Sequence, residues 1–232
     1  MEVSKMRNYI KDVLTNMPTG WLSITTHRLD IYDEKLAKVQ FLDQFEILFN
    51  ENNSEASALN EIPTAYDYIR LGHPLSCILE WGIANLNGLK SNSVISFSSQ
   101  TVPLLAILRK NLFENKNTQI NYTGELPASF DADLIAQVYG YQFELNKVNS
   151  ANDITAFNGT SVFISQQNEI DPIELATNVD FYVAVYPQLG SVLVVNGSNN
   201  ESYVSDIQHV RRRETIAMTP ANSLAALKML IS

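Results

Sequence analysis

Residues 68–88 read YIRLGHPLSCILEWGIANLNG, and this stretch carries a well-marked helix signal. Pro74 stands at a position favoured in the first helical turn, and Gly88 is a typical stop. The apolar residues between them recur at helical spacing, namely Leu75, Ile78, Leu79, Ile83 and Leu86. The pattern predicts a helix that begins at Pro74, stops at Gly88 and turns one face to a core.

Downstream of this helix, apolar runs alternate with helical segments. The predicted strands are 94–98, 119–122, 142–145, 161–165, 181–186 and 191–195. The predicted helices are 103–113, 132–139, a short one opened by Pro172, 203–213 and 221–231. Such alternation implies parallel strands with crossover helices, so we predict an α/β fold whose sheet lies between helices.

Upstream, the chain is polar and helical in pattern. Apolar residues recur at helical spacing at Leu36, Val39, Leu42, Phe45 and Leu48. The stretch from Asn50 to Asn60 is rich in Asn, Ser and Glu, and we expect a loose loop there. The predicted organisation is a helical N-terminal arm over residues 1–60 and a large domain over residues 61–232, joined as one continuous domain.

Charge and hydropathy exclude two classes of partner. Sixteen Lys and Arg against 25 Asp and Glu give a net charge of -9, which repels nucleic acid. The one basic run, Arg211 to Arg213, is expected at a solvated helix end. The N-terminus carries no apolar signal-peptide core, and no stretch approaches about 18 uninterrupted apolar residues. We therefore expect a cytoplasmic protein without a nucleic-acid or membrane partner.

Generic catalytic motifs are absent from the sequence. We find no phosphate loop, no dinucleotide-binding glycine motif, no nucleophile elbow and no histidine pair at metal-ligand spacing. His27, His73 and His209 are far apart, and we predict no metal site. The single cysteine, Cys77, is expected to be a buried structural thiol.

The stretch that opens this section resembles a signature of the pyridoxal-phosphate (PLP) enzymes of cysteine and methionine metabolism, the trans-sulfuration family. That signature reads Y-x-R-x-G-N-P, L-E, I-A-x-L-E-G. The similarity continues through Ser98-Ser99, Tyr122-Thr123-Gly124 and the strand before Asn168, and covers about Tyr66 to the C-terminus. The resemblance implies the three-layer α/β/α sandwich of the large domain of fold-type I PLP enzymes, with the family's C-terminal domain missing.

The resemblance also marks four vestigial cofactor-binding candidates. In the family, the Tyr and Arg of Y-x-R reach across a dimer interface to the cofactor phosphate of the neighbouring subunit, and Tyr68 and Arg70 match them. Ser99 matches the phosphate loop, and Tyr122 matches the tyrosine that stacks on the pyridine ring. Surface pairing of Arg70, helix packing of Tyr68 and a core role for Tyr122 remain open alternatives.

The residues that the family chemistry needs are not in place. Counting from Asp180, which matches the family run G-A-D-x-x-x-H-S-x-T-K, puts Gln188 at the Schiff-base lysine. No lysine stands between Lys147 and Lys228, so a small shift of the alignment restores none. The family segment V-D-N-T, which supplies the acidic partner of the pyridine nitrogen, has no counterpart, so we predict that a strand and its crossover are deleted.

The phosphate loop is altered as well. Gln100 replaces a glycine whose backbone permits close approach of the phosphate, and this change should lower phosphate affinity. We predict no catalytic residue and no covalent PLP.

Three functions are open on the sequence. The first is an inactive homologue that acts through self-association or by pairing with an active family member. The second is a non-catalytic binder of a phosphorylated or amino-acid-like ligand, using Arg70, Ser99 and Tyr122. The third is a PLP-dependent lyase or transferase with a non-family lysine, drawn from Lys90, Lys110, Lys116 and Lys147.

Overall fold

The structure, a computed structural model, describes residues 2–23, 37–63, 72–197 and 202–232. The helices in these ranges are α1 (Glu2–Asn16), α2 (Ala37–Glu51), α3 (Ala56–Glu61), α4 (Pro74–Leu86), α5 (Val102–Glu114), α6 (Ala132–Tyr139), α7 (Tyr203–Glu214) and α8 (Pro220–Ile231). The strands are β1 (Val94–Phe97), β2 (Thr118–Tyr122), β3 (Glu144–Lys147), β4 (Thr160–Gln166), β5 (Phe181–Tyr186) and β6 (Gly190–Val195).

The six described strands form one mixed sheet in the order β1-β6-β5-β4-β2-β3. The pairs β2–β3, β2–β4 and β4–β5 are parallel, as the alternating sequence pattern predicts. Strand β6 is antiparallel to both β5 and β1. The short turn between β5 and β6 permits only this direction, because a parallel neighbour would need a crossover of about a dozen residues.

Alternate residues of the strands enter two apolar cores, one on each face of the sheet. In β6, Val192 and Val194 belong to the first core, and Leu193 and Val195 belong to the second. Helices α1, α2, α4 and α8 close the first core, and α5, α6 and α7 close the second. The protein is therefore a three-layer α/β/α sandwich, and the predicted fold class is confirmed.

Helix α4 is buried on all sides, not on one face as its apolar spacing predicts. Every residue from Pro74 to Ala84 is buried, including the polar Ser76 and Glu80. The helix contacts α1, α2, α8 and β1, which surround it. At Gly82 a Cβ atom would lie 3.1 Å from Leu230 and 3.3 Å from Ile10, so α8 and α1 approach α4 closely there. The division into an arm over residues 1–60 and a domain over residues 61–232 stays a prediction.

His73 caps the N-terminus of α4, at the position where the family signature has Asn. Its Nδ1 accepts a hydrogen bond from the backbone N–H of Ser76 at 3.2 Å, and Nε2 lies 2.7 Å from the carbonyl oxygen of Met218. Since Nδ1 accepts, Nε2 carries the proton and donates to Met218. The cap therefore joins the start of α4 to the segment that precedes α8.

Two predictions of local structure need correction. The expected loop from Asn50 to Asn60 contains α3, because Leu59 is fully buried in the first core and holds that turn against it. The short helix opened by Pro172 is wrong, since residues 167–178 contain neither a helix nor a strand. Strand β3 lies two residues further along than predicted, in register with β2, with Tyr122 opposite Lys147.

The crossover from β4 to β5 is an irregular segment held by side chains in place of helical hydrogen bonds. The Tyr182 hydroxyl accepts from the backbone N–H of Ala176 at 2.5 Å and donates to the carbonyl of Glu174 at 3.0 Å. The Asn87 side chain accepts from the backbone N–H of Ile173 at 2.6 Å. These tertiary bonds satisfy backbone groups that a helix would otherwise pair, and they override the helix-start signal of Pro172.

A buried ion pair connects α2, α4 and β1. Lys38 Nζ lies 2.9 Å from Glu80 Oε2 and donates to the carbonyl oxygens of Ser91 and Val94, each at 2.5 Å. Glu80 Oε1 accepts from the backbone N–H and the hydroxyl of Ser96 at 2.8 Å and 2.7 Å. Because both charges are withdrawn from water, each depends on the other for compensation.

The substitution Glu80→Gln is expected to lower the free energy of unfolding by about 3 kcal/mol, because it leaves the Lys38 ammonium buried without a counter-charge. Urea unfolding followed by circular dichroism measures the loss. The exposed Glu51→Gln in α2 is the matched control, and the double variant Lys38→Met/Glu80→Gln should recover part of the stability. A loss for Glu80→Gln within about 0.5 kcal/mol of the control would contradict this account of the pair.

Candidate functional site

The sequence-predicted cofactor positions fall at the ends of strands. Ser99 follows β1, Tyr122 ends β2, and Gln188 lies in the turn between β5 and β6. Tyr68 and Arg70 lie outside the described residues. The described candidates therefore come from three strand ends, where loops most often carry function.

The Ser99 hydroxyl is engaged by its own loop. Its Oγ accepts from the backbone N–H groups of Thr101 and Val102, each at 3.2 Å, at the start of α5. The Ser99 carbonyl accepts from the hydroxyl of Ser191 on β6 at 2.6 Å. The amides at this helix N-terminus, which could bind a phosphate, are thus paired with a side chain of the same loop.

The side chain of Gln100 bridges the phosphate-loop position and the turn that carries Gln188. Its amide nitrogen donates to the carbonyl of Pro187 at 2.8 Å. Gly190 closes the turn with a φ of 128°, and a Cβ atom there would lie 2.1 Å from the carbonyl oxygen of Phe97. The turn therefore lies directly against the end of β1, and only glycine fits at its last position.

Asp180, which matches the Asp of the family run that ends in the Schiff-base lysine, connects three strands of the sheet by hydrogen bonds. Its carboxylate accepts from the backbone N–H of Ser161 at 2.8 Å, and its own backbone N–H donates to the Ser161 carbonyl at 2.9 Å. Its carbonyl accepts from the backbone N–H of Asn196 at 2.8 Å. Asp180 thus joins the first residues of β4 and β5 to the end of β6, and it stands at the strand ends opposite Gln188.

Lys147 is the lysine that approaches one of the predicted site residues. Its Nζ lies 5.8 Å from the centre of the Tyr122 ring and 3.0 Å from Glu125 Oε1. The side chain of Lys147 is 56% exposed, so its ammonium group remains in contact with water. This arrangement is a surface cation–π contact and ion pair.

The other non-family lysines lie elsewhere on the surface. Lys110 pairs with Asp206 at 3.0 Å and Glu114 at 3.2 Å, and Lys116 pairs with Glu114 at 2.7 Å. Burial lowers the pKa of Lys110, but hydrogen bonds to Asp206 and Glu114 outweigh it and raise that pKa overall. A Schiff base requires an unprotonated amine, so the environment of Lys110 works against that chemistry.

The strongest comparisons are with solved structures. The chain is similar to metB from Corynebacterium glutamicum (15% identity, TM-score 0.45, covering 74% of this chain and 54% of the other). It is also similar to cystathionine gamma-lyase from yeast, with 13% identity and a TM-score of 0.47 over 74% of this chain and 54% of the other. A third similar structure is CalE6, a methionine gamma lyase from Micromonospora echinospora, with 10% identity and a TM-score of 0.45 over 70% of this chain and 55% of the other.

The structural neighbours are enzymes of cysteine and methionine metabolism. They carry the names of the enzyme family that the sequence resembles, and at identities of 10–15% the likeness concerns the fold alone. The chain spans about half the length of the solved structures it matches. Comparison with protein-family models and with curated proteins gives no match.

The described groups at the family's cofactor position do not fit a bound PLP. Gln188 carries an amide where the family needs an amine, and an amide forms no Schiff base. The amides of Thr101 and Val102 are paired with Ser99, and Gln100 is bonded to the adjoining turn.

A separate cavity of about 270 Å³ lies on the first-core face of the sheet, beneath the irregular crossover from β4 to β5. Its walls include Phe163, Tyr182 and Tyr186 from the strands and Glu169, Asp171 and Glu174 from the crossover. Sequence reasoning missed this cavity, because the pattern assigned the crossover to a helix. The run of acidic residues around Pro172 was the only signal that could have indicated it.

Neither a metal site nor a membrane-spanning helix is found within residues 2–23, 37–63, 72–197 and 202–232. Over these ranges, no three His, Cys, Asp or Glu side chains come together as a metal site. No helix within them combines the length and the apolar character needed to cross a membrane. Cys77 is buried in α4, as its sequence context predicts.

The substitution Ser99→Ala is expected to lower the free energy of unfolding by about 1 kcal/mol, because the amides of Thr101 and Val102 lose their acceptor. Thermal or urea unfolding measures the change, with the exposed Ser129→Ala as the matched control. An effect equal to that of the control would show that the Ser99 hydroxyl does not stabilise the start of α5.

Proposed function

We propose that this chain is a cytoplasmic, catalytically inactive relative of the cysteine and methionine enzymes that acts through self-association or by pairing with an active family member. The observation that carries the proposal is Gln188 at the position of the Schiff-base lysine. An amide cannot replace an amine in that chemistry. Gly190 ends the same turn and packs against the carbonyl oxygen of Phe97. A shift of the turn that put any other residue at the position of Gly190 would cause a steric clash.

The association part of the proposal rests on which family groups the sequence keeps. Tyr68 and Arg70 match residues that, in the family, act on the cofactor of the neighbouring subunit. The groups that act within the same subunit, the lysine and the acidic partner of the pyridine nitrogen, have no match. A chain that keeps groups for its neighbour and lacks its own is suited to a supporting role in an assembly.

The alternative of a non-catalytic binder of a phosphorylated or amino-acid-like ligand has less support. It would use Arg70, Ser99 and Tyr122, but the Ser99 hydroxyl and the adjacent amides already bond to each other. The Tyr122 ring faces the Lys147 ammonium. A phosphate ester bound here would have to displace these contacts.

The alternative of an enzyme with a non-family lysine is best represented by Lys147, because of its contact with Tyr122. Lys147 would have to leave its partner Glu125 before it could attack an aldehyde. This requirement makes Lys147 the residue to examine if a covalent adduct is found.

Incubation with excess PLP followed by borohydride reduction is expected to give no stoichiometric adduct, because the family lysine is replaced. Intact mass of the reduced protein measures this, compared with an unrelated lysine-containing protein for background labelling. The Lys147→Arg variant identifies the lysine if labelling occurs. A single adduct in the wild type that is absent from Lys147→Arg would refute the inactive reading and support the third hypothesis.

Association is expected to be measurable by sedimentation velocity, as a homodimer or as co-migration with a purified full-length family enzyme. If this chain lends Arg70 to the partner's cofactor phosphate, Arg70→Ala should weaken the partner's retention of PLP by about tenfold or more. Arg109→Ala, which removes a surface ion pair with Glu214, is the matched control. A monomer at every concentration that never co-migrates with the enzyme would rule out both forms of association.

A further inference from the structure

The cavity beneath the β4–β5 crossover has fixed walls. Tyr182, on the β5 side, is hydrogen-bonded to the backbone at both Glu174 and Ala176. The Glu174 carboxylate also accepts from the side chain of Asn152 at 2.6 Å. From the other end of the crossover, the backbone N–H of Gln167 donates to the carbonyl of Val185 at 2.8 Å. The crossover is therefore held over the sheet at both ends, and the space beneath it is a preformed site.

The charge around the cavity has one sign. The carboxylates of Glu169, Asp171 and Glu174 line it, and none of its lining residues in the described part of the chain is Lys, Arg or His. An anion would be repelled from such a space, and a cation would be attracted. Glu169, Asp171 and Glu174 are exposed, so they form a negatively charged rim around the opening.

Tyr186 supplies an independent indication of a ligand. Its side chain is only 5% exposed and borders the cavity. Within the described part of the chain its hydroxyl makes no hydrogen bond, and the oxygen is not one of the fully enclosed unpaired atoms, so it is accessible to a ligand in the cavity. Burial raises the pKa of Tyr186 and the charge of Asp171 raises it further, so the phenol stays neutral.

The remaining walls are aromatic. Phe163 and Tyr182 lie side by side, with ring centres 5.8 Å apart and planes at 73°. With Tyr186 they give three aromatic rings beneath the acidic rim. Aromatic faces attract organic cations, and a rim of carboxylates with an aromatic floor is the usual recognition of an ammonium group.

We propose that this cavity binds a small organic ammonium ion, with its charge near Asp171 and Glu174 and its carbon atoms against Phe163, Tyr182 and Tyr186. The cavity volume of about 270 Å³ suits a ligand of few carbon atoms. A bare metal ion fits less well, because the described carboxylates do not converge on one point as a metal-binding group. Neither Ser99 nor Gln188 lines this cavity, so the proposal stands whether or not the chain associates with an enzyme.

Isothermal titration calorimetry at low salt tests the proposal with choline and putrescine as probes. Each is paired with an uncharged molecule of similar shape, dimethylbutanol for choline and butanediol for putrescine. The ammonium probes are expected to bind and to raise the melting temperature, and the uncharged molecules are expected to do neither. The choline and putrescine arms distinguish a quaternary ammonium site from one for primary amines.

Two variants locate the site. Asp171→Asn should weaken binding about tenfold, which corresponds to about 1.4 kcal/mol. Tyr186→Phe, which removes only the hydroxyl, should weaken it by roughly threefold to tenfold. Asp133→Asn, an exposed carboxylate on α6 at the other face of the sheet, is the matched control and should leave binding unchanged. Circular dichroism confirms that each variant is folded.

The proposal is overturned if neither amine binds, if the uncharged molecules bind equally well, or if both site variants bind like the control. It is also overturned if Mg²⁺ alone stabilises the protein more than either amine does. Loss of amine binding would leave the association experiments unaffected, since those depend on Arg70 and not on this cavity.

Discussion

The burial of α4 is the constraint on which the candidate site depends. His73, at the start of this helix, donates to Met218, in the segment between α7 and α8. Two residues earlier in that segment, the Ile216 carbonyl accepts from the backbone N–H of Ser98. The N-terminus of α4, the segment before α8 and the end of β1 are therefore held as one unit. Ser99 follows β1, and the turn between β5 and β6 packs on the end of β1. The burial of α4 therefore fixes where both of them lie.

The sequence predicts the regular elements well because their apolar periodicity is local. Strands β5 and β6 are continuous apolar runs, and the bounds of α6 are those predicted from Ala132 to Tyr139. The burial of α4 on all sides could not be predicted, because its polar Glu80 reads as a solvent position and is buried by a partner, Lys38, that lies far away in sequence. Periodicity identifies a helix, but the number of its buried faces depends on tertiary contacts.

The candidate site also has one part that the sequence predicts and one that it does not. Gln188 lies in the turn directly after β5, which follows from the apolar run that predicts this strand, whereas its match to the family lysine stays a prediction. The cavity could not be placed, because it depends on a crossover that has no periodic pattern. Pro172 gives a helix-start signal there. It is overridden because the backbone N–H groups of Ile173 and Ala176 donate to the side chains of Asn87 and Tyr182. Local signals lose to tertiary hydrogen bonds where a segment is short.

Two positions of the turn between β5 and β6 differ in how much the fold constrains them. Gln188 is exposed in this turn, so a substitution there removes no buried contact. Gly190, two residues on, has no such freedom, because any side chain would collide with the carbonyl of Phe97. Packing therefore requires glycine at position 190 and places no such demand on residue 188.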